Sequence, residues 1–144
     1  MAETKTLTDV QIRKATRDEI PAIVEFITQF VESGELLPRT VDEMDDLIDT
    51  FFVAVLDGAI VGCAALEIYN RKLAELRSLG VSPKVQGRGV GKRLVQACID
   101  LAKEKQIFEV MAISASDGFF QSCGFDYTLP RLRRAFFMQT RDNL

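Results

Sequence analysis

Three glycines fall within the six residues Gln86-Gly87-Arg88-Gly89-Val90-Gly91, between a strand-like stretch ending at Val81 and a helical periodicity beginning at Val90. A chain that passes from strand to helix through glycine is held to a tight connection, because glycine enters the left-handed backbone region without a Cβ penalty. The missing side chains also let a ligand approach the backbone. The new helix offers unpaired N–H groups at the positive end of its dipole, so the segment forms a cradle for an anion such as a pyrophosphate. A simple strand-to-helix turn would need the glycines alone. Lys84, Arg88, Lys92 and Arg93 surround this one with more cationic charge than a turn requires.

Periodicity places the remaining elements around that loop. Val10 to Ala15 alternates as a half-buried strand. Thr16 and Glu19 have capping-box spacing, and apolar residues from Ile20 to Val31 recur at helical intervals until Gly34. Thr40 and Glu43 repeat the signal before a shorter helix through Ile48. Phe51–Leu56, Asp57-Gly58 and Ala59–Leu66 read as a hairpin, since Asp-Gly suits primed turns. Asn70 to Lys72 turns the chain into a strand over Leu73–Val81, ended by Ser82-Pro83. A helix from Val90 to about Lys105, a buried strand over Phe108–Ile113, a helical turn over Phe119–Ser122 and closing strands near Phe125 and Ala135–Gln139 complete the order βααβββαβαββ. This order predicts one α+β domain over residues 1–144, with a mostly antiparallel mixed sheet flanked by helices.

Composition excludes several functions. The chain has 144 residues, 47% of them hydrophobic, enough for one core without metals or disulfides. A net charge of −3 provides no basic field for nucleic acid or an anionic membrane surface. No apolar run approaches the roughly 20 residues of a membrane span, and Met1–Lys5 leads into no signal-like segment, so a soluble protein is expected. Cys63, Cys98 and Cys123 are odd in number and widely spaced, which suits a reducing cytoplasm and suggests neither disulfides nor zinc. With no histidine, acid–base chemistry falls to Glu, Asp, Lys, Tyr or Cys.

Gln86, Gly89 and Gly91 match the main signature of the GCN5-related N-acetyltransferases (GNAT), which the chain resembles over about half its length. Glu75 lies eleven positions before Gln86, where many members carry a glutamate. Phe119-Phe120-Gln121-Ser122-Cys123-Gly124-Phe125 is similar to the family's second motif. The resemblance implies the GNAT fold, acetyl-CoA as cofactor and a small-molecule amine as acceptor. It also implies that Leu79, Gly80, Val81, Gln86, Gly87, Arg88, Gly89, Val90, Gly91, Lys92 and Phe120 contact the cofactor. A homodimer is compatible with it, since similar proteins pair through sheet edges or helices.

An amine attacks a thioester only when unprotonated, so a base must take its proton. Glu75 is the candidate, because desolvation on a partly buried strand moves a carboxyl toward the range useful to a base; it could equally pair with Arg77 or Lys72. By similarity, the backbone N–H of Leu79 donates to the charge that develops on the carbonyl oxygen. Leu79 to Val81 pair with the pantetheine arm, and Gly80 fits a bulge that opens the strand. Phe120 stands where many members have a proton-donating tyrosine, and a phenyl ring donates no proton. Cys123, Tyr127 or water remain as alternatives for the general acid.

Within GNAT, Gly34–Thr40, Val61–Leu66 and Ala74–Leu79 are similar to the acetyltransferase domain of N-acetylglutamate synthase, and Leu129-Pro130 begins a segment like that family's. The resemblance implies glutamate as acceptor, and its two carboxylates would call for arginines, of which Arg39 and Arg77 are the candidates. The synthase's kinase-like domain has no counterpart in this sequence. Arg131, Arg133 and Arg134 could also contact a carboxylate or solubilise an edge strand. Two alternatives stay open: a GNAT enzyme for a polyamine, an aminoglycoside or a protein N-terminus, and a non-catalytic acyl-CoA-binding module.

Overall fold

Asp57 and Gly58 both take positive φ, 52° and 77°, the backbone that a two-residue primed turn needs. They join β2 (Phe51–Leu56) to β3 (Ala59–Ile68) in the antiparallel pair expected of this segment. The next turn is built by Asn70, whose Oδ1 accepts from the backbone N–H groups of Lys72 at 2.8 Å and Leu73 at 3.1 Å. It feeds β4 (Leu73–Val81), antiparallel to β3. The computed structural model describes residues 9–127, 136–138 and 140, and the chain divides into two compact units, Met1–Ile113 and Ser114–Leu144.

In the first unit one sheet runs β1-β2-β3-β4-β5, with β1 (Gln11–Lys14) and β5 (Glu109–Met111) as its edges. The β4–β5 pair is parallel and the others antiparallel. Alternation sorts the side chains between two helical layers. Phe51, Val53, Cys63 and Ala65 pack with Ile23 and Ile27 of α1 (Ile20–Glu32) and Met44 of α2 (Val41–Leu47). On the other face Gly62 meets α3 (Val90–Glu104) so closely that an added Cβ would stand 3.0 Å from Leu94 Cδ1. Each fully buried large side chain, such as Ile23, Phe51 and Leu94, contributes on the order of 2 kcal/mol through burial.

Local signals start and stop these helices where expected. A 3₁₀ turn at Arg17–Glu19 precedes α1. There the Glu19 carboxylate accepts the Thr16 N–H at 2.8 Å and both arms of Arg13, also at 2.8 Å. Gly34 ends the α1 region with φ of 81°. Thr40 Oγ1 accepts the Glu43 N–H at 3.1 Å and caps α2.

The Phe108–Ile113 segment corrects an expectation. Its strand is limited to Glu109–Met111, and Phe108 and Ile113 are 72% and 63% exposed. An apolar run specifies strand character, but burial requires neighbours on both faces, and among the described residues few cover the two ends of this short strand. In the second unit α4 (Asp117–Ser122) carries Phe119 and Phe120. The Phe120 ring stands edge-on to Phe119 and Phe125, with centroids 5.1 and 5.4 Å away. Of the expected closing strands, Phe125 and Phe136–Met138 carry no strand pairing, while Ala135 and Gln139 lie outside the described residues. Leu129–Arg134 also lies outside them.

Candidate active site

The sheet comes apart along β4. β5 pairs only with Leu73, Ala74 and Glu75, so among the described strands the rest of β4 pairs on its β3 side alone. On that side Cys63 faces Gly80 and Ala65 faces Arg77, which leaves Ala64 opposite both Ser78 and Leu79. Two residues against one is a β-bulge, and it bends the strand. Ser78 supplies the unusual backbone, with φ of 56°. This corrects the role expected of Gly80, which is absent from the positive-φ residues. Gly80 is required for space instead, since a Cβ there would lie 2.9 Å from Phe30 Cε2.

The bulge aims two backbone groups. Cys63 Sγ donates to the Ser78 carbonyl at 3.2 Å, and burial pushes this thiol up to about 12, so it stays protonated as a donor. A trans peptide points its N–H opposite to its C=O, so the Leu79 N–H faces away from Cys63. By the same geometry Ser82 N–H, donating to Val61 O at 2.8 Å, turns the Val81 carbonyl away from β3. Gln86 Nε2 donates to that carbonyl at 2.9 Å and ties the glycine loop to the end of β4.

Beyond Gln86, Gly87 and Gly89 are left-handed with φ of 77° and 88°, and open space lies where their Cβ atoms would stand. Gly89 is the N-cap of α3 and brings no side-chain acceptor. The first N–H groups of the helix, from Val90, Gly91 and Lys92, are thus left to water or a bound anion. The Val90 side chain points into the core, so its backbone is the part available to a ligand. Arg88 and Lys92 are exposed beside the loop. Arg93 also donates to the Val10 carbonyl at 3.0 Å, which gives it a structural task.

Glu75 is the one charged residue in the buried class among the described residues, at 9% exposure. It sits directly across from Glu67 on β3, and like charges in that position repel. Tyr69 and Arg77 relieve the repulsion. The Tyr69 hydroxyl donates to Glu75 Oε1 at 2.5 Å and stands 3.0 Å from Glu67 Oε2. Arg77 Nη1 donates to the same Glu67 oxygen at 3.0 Å. Burial works against the charge on Glu67, but the hydrogen bonds from Arg77 and Tyr69 outweigh it and hold that carboxyl below its usual range. Burial, then Glu75 and Glu67, push the Tyr69 phenol well above its ordinary value.

Arg39 reaches this face from the α1–α2 connection. Its Nε donates to Ser78 Oγ at 3.2 Å and its Nη1 to Glu43 at 3.4 Å, and its side chain is only 8% exposed. The structure therefore brings together Glu75, Arg77, Leu79 and Arg39, with Gln86 binding the loop to the same strand. Phe120 belongs to the second unit, beside Phe119 and Phe125. Sequence reasoning passed over Tyr69, Glu67, Ser78 and Cys63. Counting the hairpin register outward from Asn70–Lys72 would have placed Glu67 opposite Glu75; no sequence signal marks Ser78.

Known proteins similar to this chain identify its family. The description "Acetyltransferase (GNAT) family" matches residues 20–125. An uncharacterized N-acetyltransferase of Chlorobaculum tepidum is 32% identical over 117 residues, covering 81% of this chain and 76% of that protein. An amino-acid acetyltransferase of Neisseria meningitidis is 35% identical over 131 residues, 87% of this chain but 30% of that relative. Among solved structures, N-acetylglutamate synthase from Neisseria gonorrhoeae, complexed with coenzyme A and N-acetyl-glutamate, superposes with a TM-score of 0.70 and 33% identity. That match covers 84% of this chain and 28% of the synthase chain. With the family's description matched across most of the chain and a relative 32% identical over most of both lengths, the chain belongs to the acetyltransferase (GNAT) family.

Proposed function

We propose that this chain transfers the acetyl group of acetyl-CoA to the α-amine of a small amino acid, glutamate favoured, with Glu75 as general base. The observation that carries this reading is the buried Glu75 at the point where β4 leaves β5, on the sheet face that also holds Arg77. Acetyl-CoA supplies the activated thioester. The left-handed glycines, the start of α3 with no side-chain cap and the edge of β4 left unpaired among the described strands fit its pyrophosphate and its pantetheine arm. Leu79 N–H, turned away from Cys63, is the donor to the carbonyl oxygen. The family match spans residues 20–125 and so reaches into both units of the chain. The three cysteines are free, in keeping with a cytoplasmic enzyme. No helix among the described residues is long and apolar enough to cross a membrane.

Arg39 and Arg77 are the groups for the acceptor's carboxylates. A guanidinium has five N–H donors, so a bond to Glu67 or Ser78 leaves others for a ligand. Glu67 nonetheless offsets the charge of Arg77. That favours, as a second reading, an acceptor with a single carboxylate. Turnover across an amino-acid and polyamine panel separates the readings, and acetylation of spermidine but not of amino acids would overturn both. For the base, Glu75→Gln should lower kcat by roughly ten- to ten-thousand-fold while acetyl-CoA affinity is kept. Undiminished turnover would remove Glu75 from the mechanism.

A further inference from the structure

Tyr69 lies outside every family motif in the sequence, yet among the described residues it is the one side chain that hydrogen-bonds both Glu67 and Glu75. Its ring is half exposed while its hydroxyl is turned inward, 2.5 Å from Glu75 Oε1 and 3.0 Å from Glu67 Oε2. Glu67 in turn is fixed by Arg77 at 3.0 Å. We infer that Tyr69 is a positioning residue for the base, with a hydroxyl that bonds Glu75 when Glu75 is ionised and turns to the Arg77-anchored Glu67 when Glu75 takes up a proton. The inference rests on Glu75 being the base.

A phenol has one proton to donate and here it has two carboxylate neighbours. While Glu75 is ionised it is the nearer acceptor, and the bond holds its side chain in one orientation. When the acceptor's ammonium N–H breaks and an O–H forms on Glu75, Glu75 becomes the weaker acceptor and Glu67 keeps its charge. The Tyr69 O–H then swings to Glu67 without breaking. When Glu75 releases its proton to solvent the first arrangement returns. No proton leaves the tyrosine, whose ionisation beside two carboxylates is strongly disfavoured. Among the described residues, the charged groups tied to Glu75 are Glu67, across from it on β3, and Arg77 on β4, while Arg39, which bonds Glu43, acts on Glu67 from the α1–α2 connection. On β5 its neighbour is the uncharged Met111.

Two variants should move the pH profile in opposite directions. Tyr69→Phe removes a donor that favours the ionised base, so kcat/KM should fall roughly ten-fold, with its acid limb moved to higher pH and KM for acetyl-CoA unchanged. Glu67→Gln removes a like charge, so the acid limb should move to lower pH. A residue that merely supported the fold would lower activity without opposite displacements. A measurement independent of turnover comes from the composition, with two tyrosines and no tryptophan. In a Tyr127→Phe background, tyrosinate absorbance reports Tyr69 alone. It should appear at lower pH in Glu67→Gln and in Glu75→Gln than in their shared parent, a result that stands even if Tyr69→Phe fails to fold. Unchanged tyrosinate titrations, or an unmoved acid limb in a folded Tyr69→Phe protein, would overturn the inference while a slow Glu75→Gln left the base in place. Full turnover in Glu75→Gln would overturn both.

Discussion

Arg39 donates its Nε–H to Ser78 Oγ at 3.2 Å, so a loop arginine holds the one residue of β4 whose φ, at 56°, lies in the left-handed region. The contact joins the α1–α2 connection to the bulge that opens the sheet. Its two partners have separable tasks. Ser78→Gly relieves the backbone but loses the hydroxyl, so stability should change little while KM for the amine rises. Ser78→Val keeps neither the bond nor a tolerable backbone and should cost about 2 kcal/mol. Urea denaturation of the two variants tests this, and equal loss in both would contradict it.

Gly80 is a packing glycine. A Cβ on it would stand 2.9, 3.1 and 3.3 Å from three atoms of the buried Phe30 ring. Gly80→Ala should therefore destabilise by roughly 1–3 kcal/mol. Phe30→Leu should return part of that loss in the double variant. Additive losses in a double-mutant cycle would show that the clash lies elsewhere.

At Gly89 the limitation is conformational, since φ is 88° and the space around its Cβ position is open. Gly89→Ala should cost about 1 kcal/mol of stability. Because the distortion falls at the start of α3, KM for acetyl-CoA should rise more than kcat falls. Steady-state kinetics with acetyl-CoA varied at saturating amine provides the test.

Glu19 predicts an acid dependence far from the site. The hydrogen bond from Arg13, working against partial burial and aided by Thr16, lowers its carboxyl from 4.5 to about 2. A depressed carboxyl stabilises the fold fully above its unfolded value and loses that contribution as pH falls toward the folded one. Glu19→Gln should thus be less stable than the parent at neutral pH, by about 1 kcal/mol given solvent screening. The difference should shrink between pH 4.5 and about 2. Denaturation at a series of pH values reads it directly.

The local sequence carried most of the frame. Asp57-Gly58, Asn70, Thr40 and the glycines of the 86–91 loop each specify a turn or cap through atoms a few residues away, so they are legible without knowledge of distant neighbours. The limits of β4 follow in the same way from the Asn70–Lys72 turn and Ser82-Pro83, and those of α3 from its apolar spacing. The Phe108–Ile113 segment is less buried than its sequence suggests, because composition reports strand character but not which faces find a partner.

What the sequence by itself determined is the order of elements from β1 to α4, the glycine loop at the head of α3 and the position of Glu75 on β4. Only the tertiary structure decided how Glu75 is held. Tyr69 and Glu67 meet it through a hairpin register, and Arg39 reaches Ser78 across 39 positions. Ser78 carries the bulge in a residue with no preference for its backbone, while Gly80 answers to the Phe30 ring. Each of these depends on which strands and loops come to lie side by side, and a pattern of neighbours along one chain does not contain that information.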